Sequence, residues 1–300
     1  MHAKEWFKPK PRGWPVRLTL RLKFLLPLLA LFTAQPSLAA SSPELGSLEA
    51  QLSNLVAGRS GEFGIAALDL GSGRMVSING DTPFPMASTV KLAIAATYLA
   101  QVDHGRRSLS DRIGGSSADS LMARMLIHSD NVATDMLLAN LGGPTTVQSW
   151  LAFNNLAGIR IDRTISQLLR SRRDLRDMRD SSSPHSMLGL LKLVNSGPAL
   201  TTASRSYLLS LMARCATGRN RMKALLPSFT LVEHKTGTLD GLTDDVGFIT
   251  LPDGRRVAIA LFARGGNDRP RTIAEAARSI YDGFLATFRR PLDGLVIGGR

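Results

Sequence analysis

Three short stretches of this 300-residue chain hold side chains with usable chemistry at fixed spacing. In MASTVKLAI (86–94), Ser88 precedes Lys91 by three residues, where an apolar helical pattern begins. Residues three apart share one side of a helix, so this hydroxyl and amine lie within reach of each other. Such a pair is either a helix cap beside a solvated lysine or a nucleophile beside its base. Ser129-Asp130-Asn131 interrupts an apolar helical stretch, a poor place for three polar residues unless they face something. Lys235-Thr236-Gly237, followed by Thr238, falls in a strand pattern, where glycine lets a ligand approach the backbone closely. Ser-x-x-Lys alone arises about once per chain of this length by chance. The two further triplets change those odds.

The elements that must position these residues follow a split order. SPELGSLEAQLSNLVAG (42–58) carries leucines at helical spacing, and FGIAALDL and MVSIN read as a hairpin joined by GSGR. Residues 89–227 are mostly helical in pattern, including LAIAATYLAQV, SADSLMARMLIHSDNVATDMLLANL, SMLGLLKLVN and SRSYLLSLMARC. Strand patterns return in TLVEHKTGT, DVGFITL and RVAIALFA, and TIAEAARSIYDGFLATF closes the chain as a helix. Strands at both ends with helices between predict an α+β fold. Its antiparallel sheet is formed by the N- and C-terminal segments and flanked by helices, with an inserted all-helical lobe. The expected bounds are a sheet lobe of 42–88 plus 228–288, a helical lobe of 89–227, and a tail of 289–300. Ser88 then falls where the first strands hand over to the helical lobe, beside a cleft of the kind that holds ligands. That location favours chemistry over capping.

Composition narrows the function. The chain is 44% hydrophobic and 20% charged, a globular profile, with a formal net charge of +13. Residues 1–39 contribute seven Lys/Arg against Glu5, and the remainder balances at +7. With no zinc-finger spacing or RNP-type aromatic run, nucleic acid is not an expected partner. The same segment reads as a secretory signal: a basic start, the apolar FLLPLLALFTA (24–34), and small residues for cleavage near Ala39 or Ala40. Its apolar run is too short to span a bilayer, and no cysteine lies near the cleavage point to take a lipid anchor. A periplasmic or secreted monomer without a stable membrane anchor is expected. Cys215, the single cysteine, cannot form an intramolecular disulfide and reads as a small helix-packing residue. His104, His128 and His185 read as structural or surface residues. His234 and Lys235 should point to opposite faces of their strand. No metal or other cofactor is expected.

In order and spacing, the three motifs resemble those of class A β-lactamases and of the penicillin-binding proteins that share their fold. The similarity spans roughly residues 45–288 and includes GRNRMKALLP and TDDVGFITLPDGRRVAIALF. The resemblance implies a serine hydrolase that opens β-lactam rings through an acyl-Ser88 intermediate. Lys91 would activate Ser88, its pKa lowered by desolvation and by Lys235. Ser129 would relay a proton to the leaving nitrogen, and Asn131 would bind the substrate's amide side chain. Lys235, Thr236 and Arg221 would hold the substrate carboxylate, with Arg219 and Lys223 near enough to replace Arg221. The backbone N–H groups of Ser88 and Thr238 would form the oxyanion hole. The expected partner is a small-molecule β-lactam or a cell-wall peptide. Besides the β-lactamase reading, the same site fits a D-alanyl-D-alanine peptidase, or a binding protein acylated without turnover.

One segment departs from the family pattern. RIDRTISQLL (160–169) resembles the start of the loop that borders the class A site, and Arg163 and Asp180 fit its closing ion pair. The glutamate expected two residues after the arginine is Ile165, and the asparagine that helps hold the hydrolytic water is Leu169. No glutamate occurs between Glu62 and Glu233. The loop also reads about two residues longer than usual. Deacylation needs a base to activate water, which leaves Asp174, Asp177, Lys91 or none. RSRRDLRDMRD (170–180) also reads as a solvated helical segment with i,i+4 pairs Arg170–Asp174, Arg173–Asp177 and Arg176–Asp180. The last of these competes with Arg163 for Asp180.

Overall fold

The computed structural model describes residues 43–156 and 158–287. The expected signal segment (1–39) and the tail (289–300) lie outside the described residues. Leu45, Leu48 and Leu52 form a buried stripe on the first helix, α1 (Pro43–Ala57). It leads into the hairpin of β1 (Glu62–Asp69) and β2 (Met75–Ile78). In that turn Asp69 Oδ1 accepts from Gly71 N at 2.9 Å, and Gly73 takes the left-handed φ of 73° that glycine permits. A short strand, β3 (Phe84–Pro85), enters the 3₁₀ turn Ala87–Val90, which carries Ser88 and feeds α2 (Lys91–Asp103).

A small ribbon, β4 (Arg112–Ile113) and β5 (Ser116–Ser117), precedes α3 (Ala118–Ile127), α4 (Asn131–Leu141) and α5 (Pro144–Phe153). Next come α6 (Ile165–Arg170), β6 (Ser181–Ser182), α7 (Pro184–Ser196) and α8 (Thr202–Ala213). The strands β7 (Val232–Leu239), β8 (Leu242–Thr250) and β9 (Arg256–Arg264) then lead to α9 (Arg269–Ala286).

The main sheet is antiparallel in the order β2-β1-β9-β8-β7. The N-terminal hairpin pairs with the last strand from Glu62↔Arg264 to Asp69↔Val257, which joins the two ends of the chain and leaves β7 at an edge. Side-chain alternation gives the sheet two buried faces. Phe63, Ile65, Ile259 and Leu261 pack with Leu48, Ile280 and Phe284 of α1 and α9. Ala66, Val246, Phe248 and Ala260 join Tyr98, Leu121 and Leu191 of the helical middle. Each fully buried Leu or Phe contributes about 1.5–3 kcal/mol, so these two apolar layers hold the edge strand against the helices.

Three local expectations change. The helical pattern over 117–141 divides at Ser129-Asp130, because Ser129 takes φ 58° and Asp130 Oδ1 caps Ala133 N at 2.9 Å. The helical pairing expected over 170–180 does not form. After α6 ends at Arg170, Asp174 and Asp177 accept from the backbone N–H of Arg176 (2.8 Å) and Arg179 (3.0 Å). Short carboxylates that bond the backbone two residues on compete with helix. Arg176 then reaches Glu62 at 3.0 Å, Arg179 pairs with Asp177 at 2.9 Å, and Arg163 takes Asp180 at 2.6 Å. Cys215 also departs from its expected place, lying beyond the end of α8 rather than within a helix. No helix among the described residues is long and apolar enough to cross a membrane.

Candidate active site

Ser88 stands half-buried in the 3₁₀ turn, entered through Ala87 at φ 44°, an unusual conformation for a residue with a side chain. Lys91 opens α2 one turn later and is fully buried. Its Nζ donates to Ser129 O (2.6 Å), Ser129 Oγ (3.1 Å) and Asn131 Oδ1 (2.7 Å), and among the described residues none of its hydrogen bonds goes to Ser88. Burial and the Lys235 charge push the Lys91 pKa down to about 7, against the opposing pull of Asp130 and Asp135. A lysine so placed is part neutral near pH 7 and able to accept a proton.

Lys235, on β7, is also fully buried and donates to Ser129 Oγ at 3.0 Å and to Thr236 O at 2.9 Å. Burial lowers its pKa to about 8. The Ser129 hydroxyl therefore accepts from both lysines, which leaves its own proton to donate outward. Asp130 holds this turn, since its Oδ2 accepts from Arg124 Nε and Nη2 at 2.9 and 2.5 Å. Its part here is structural, with Arg124 as its cation. Asn131 is exposed and spends its oxygen on Lys91, so its amide N–H groups face outward to donate.

The edge strand supplies the other wall. Thr236 Oγ1 lies 2.5 Å from Thr217 Oγ1. Buried Arg221 donates through Nη2 to Thr238 Oγ1 (2.6 Å) and through Nη1 to Gly237 O (2.8 Å) and Asp244 O (3.0 Å). Arg219 and Lys223 are exposed, so Arg221 is the cation built into the strand end. Gly237 serves packing rather than an open approach to the strand. A Cβ there would lie 2.6 Å from Asp244 Oδ2 and 2.7 Å from Met86 O, the residue that enters the Ser88 turn.

The bordering loop is closed as expected by Arg163 and Asp180. Arg163 Nε donates to Asp180 Oδ2 at 2.6 Å, and Asp180 Oδ1 accepts from the N–H groups of Asp162 (2.8 Å) and Arg163 (3.0 Å). Ile165 is 4% exposed and packs in the helical core, whereas Leu169 is 50% exposed. Of the candidate bases, Asp174 is exposed and caps Arg176. The Arg179 and Arg163 guanidinium groups hold Asp177 down to about 2, a poor proton acceptor.

Asp135 escaped the sequence reading. Its carboxylate caps the N–H groups of Ile165 (2.7 Å) and Ser166 (2.8 Å), tying α4 to the loop. The available signal was its place four residues after Asn131, on the same helix face. His234 is fully buried and bonds Asp245 at 2.7 Å, consistent with its facing away from Lys235. Among the described residues, no group of three or more His, Cys, Asp and Glu side chains gathers to hold a metal ion.

The arrangement suits acyl transfer: a half-buried serine, a lysine poised near neutrality, a shared hydroxyl and a cationic strand end. Comparison with known proteins agrees. The profile of the Beta-lactamase enzyme family matches residues 47–284. Beta-lactamase VEB-1 of Pseudomonas aeruginosa is 28% identical over 297 residues, covering 88% of this chain and 98% of the relative. Beta-lactamase L2 of Stenotrophomonas maltophilia is 32% identical over 234 residues, covering 71% and 76%. Among solved structures, a class A beta-lactamase representing the last common ancestor of Gram-negative bacteria superposes with a TM-score of 0.75 at 31% identity, covering 79% of this chain and 99% of that one. A beta-lactamase from Chitinophaga pinensis superposes with a TM-score of 0.75 at 28% identity, over the same shares of the two chains. With its helices, antiparallel sheet and motif-bearing elements matched along nearly the whole described length, the chain belongs to the class A β-lactamase family of serine hydrolases.

Proposed function

We propose that this enzyme is exported and opens β-lactam rings in two steps of unequal speed, acylating Ser88 readily and deacylating slowly. In the first step, neutral Lys91 takes the Ser88 proton as Oγ attacks the lactam carbonyl. The N–H groups of Ser88 and Thr238 receive the developing oxyanion. The lactam C–N bond then breaks, and the Ser129 hydroxyl gives its proton to the leaving nitrogen. Lys235, Thr236 and Arg221 hold the substrate carboxylate, Gly237 keeps their strand against the Ser88 turn, and Asn131 receives the acyl amide. The nucleophile sits at the seam between the sheet lobe (42–88 and 228–288) and the helical lobe (89–227).

The observation that carries the acylation step is the Ser129 hydroxyl held at about 3 Å by two buried lysines. The observation behind slow release is the burial of Ile165 in the core. It places an apolar side chain at the loop position where family members hold the deacylating base. The same observation favours a second reading, a β-lactam or muropeptide binder acylated once, and keeps the D-alanyl-D-alanine peptidase in play. Steady-state hydrolysis of a chromogenic cephalosporin tests the proposal. A burst followed by slow turnover is expected; a burst with no further turnover identifies the binder. Release of D-alanine from a cell-wall peptide, with no cephalosporin opening, identifies the peptidase.

A further inference from the structure

Under the loop over 163–180 lies a small cavity that the acyl-transfer scheme does not use. It is lined on one side by Pro85 and Ala87, at the entry to the Ser88 turn, and by Leu239 of β7. The loop brings four arginines to it, Arg163, Arg172, Arg173 and Arg179. Three aspartates stand against them, Asp174, Asp177 and Asp180. Loop and turn are also bonded directly, since Asp180 O accepts from Met86 N at 2.9 Å. Whatever fixes the arginines of this cavity therefore fixes the approach to the nucleophile.

The carboxylates at the cavity are engaged. Asp180 accepts from Arg163 Nε and from two backbone N–H groups. Asp177 takes Arg179 through both oxygens and Arg163 Nη2 at 3.0 Å, and Asp174 Oδ1 accepts from Arg176 N. The donors are not used up. The Arg163 side chain is 9% exposed, spends Nε and Nη2 on those carboxylates, and keeps a buried Nη1 with no partner among the described residues. Arg173 is half-buried, and its Nε is likewise buried and unpartnered. Two free donors from separate loop residues thus meet one cavity, where no buried side-chain oxygen lacks a partner.

A buried guanidinium N–H without an acceptor is costly, and folded proteins supply one. Water would accept from both donors but must then place two hydrogens of its own; a monatomic anion only accepts. Charge favours the anion as well. Four arginines and three aspartates leave one positive charge in excess, and low-dielectric surroundings strengthen its pull. Size sets the class of ligand. The cavity measures about 10 Å³, the space of a single water-sized body, which leaves no room for a carboxylate, sulfate or phosphate. Arg172 is exposed and Arg173 half-buried, so their ends can part slightly for an ion a little larger than water. We infer that this cavity is a halide site, in which one chloride ion bridges Arg163 Nη1 and Arg173 Nε and holds the loop to the turn that carries Ser88.

Thermal melting of the whole mature protein in sodium chloride, against sodium gluconate at equal ionic strength, tests this. Chloride should raise the melting temperature along a saturating curve, by about 3–6 °C at ten times its Kd, and bromide should do the same. Arg173→Gln should abolish the shift yet melt no lower than the wild type in gluconate, because it deletes a charge that gluconate leaves uncompensated. Arg170→Gln removes the same charge from a loop residue outside the cavity and should keep the full shift. Crystals soaked in sodium bromide should give an anomalous peak within hydrogen-bonding reach of both nitrogens. Equal melting in chloride and gluconate overturns the inference, as does an ordered water at the two nitrogens with no anomalous signal. A shift that survives Arg173→Gln, or that Arg170→Gln loses equally, reports screening of the loop's charge in general and overturns it too. Should Arg173→Gln fold poorly, the bromide peak on the wild-type protein decides alone: present at both nitrogens it upholds the site, absent it removes it. None of these readouts uses penicillin, so failure of the proposed function leaves them intact.

Discussion

In the proposed scheme, Lys91 and Lys235 set the pH range in which Ser88 can react. Lys91 accepts a proton only when neutral, so acylation should rise with pH through about 7, where burial and the second lysine place its titration. Lys235 binds an anion only when charged, so acylation should fall again above about 8. The two groups are coupled, and the narrow bell belongs to the pair rather than to either lysine alone. Single-turnover acylation measured across this range checks it; a rate that is flat through pH 7 contradicts the role of Lys91. Ser88→Ala should abolish penicillin labelling, and Lys91→Met should slow it by about 10²–10⁴-fold, the usual worth of a positioned base. Wild-type labelling in Lys91→Met would remove the assignment. These groups were legible in the sequence because each motif packs its polar residues within a few positions. The His234–Asp245 contact was not, because its partners are 11 residues apart and meet only when β7 pairs with β8.

Helices and strands followed from hydrophobic period, and the layout around the sheet was readable for that reason. The loop over 163–180 was read only in part. Its charge pattern suggested a helix, while its aspartates bond local N–H groups instead. Arg163 and Asp180 were readable by resemblance, and the capping of α6 by Asp135 was not. The Arg163 and Asp180 side chains are 9% and 5% exposed, so Asp180→Asn breaks a buried pair. A loss of about 3 kcal/mol is expected, a fall of roughly 6–12 °C in melting temperature for a chain of this size. Limited proteolysis should then cut within 163–180. An unchanged melting curve means that Asp135 and the Arg176–Glu62 pair hold the loop without it. On the opposite wall, Gly237→Ala sets a methyl group against Met86 O and Asp244 Oδ2. Overpacking of this kind costs about 1–3 kcal/mol, and displacement of β7 from the Ser88 turn should slow acylation by roughly 100-fold. Normal stability together with normal acylation would contradict the close packing of strand and turn.

In the whole molecule the nucleophile, the lysine pair and the loop are held from three directions. The two chain ends meet as β1 and β9, α4 carries Asn131 and Asp135, and Glu62 ties the loop's Arg176 to Arg264 of β9. In the proposed scheme this frame keeps the residues of acylation together, while the loop holds Ile165 where the family's acid is expected. Ile165→Glu should restore little turnover, because the carboxylate enters a core position and Leu169 still fails to hold the water. Ile165→Glu with Leu169→Asn should restore more, read as a higher steady-state rate after the burst. The central claim is that acylation outruns deacylation. Intact mass of the mature protein, followed in time after addition of penicillin, measures both steps at once. The account predicts one penicilloyl adduct on Ser88, formed quickly and lasting minutes or longer; rapid steady hydrolysis with no burst and no lasting adduct would contradict it.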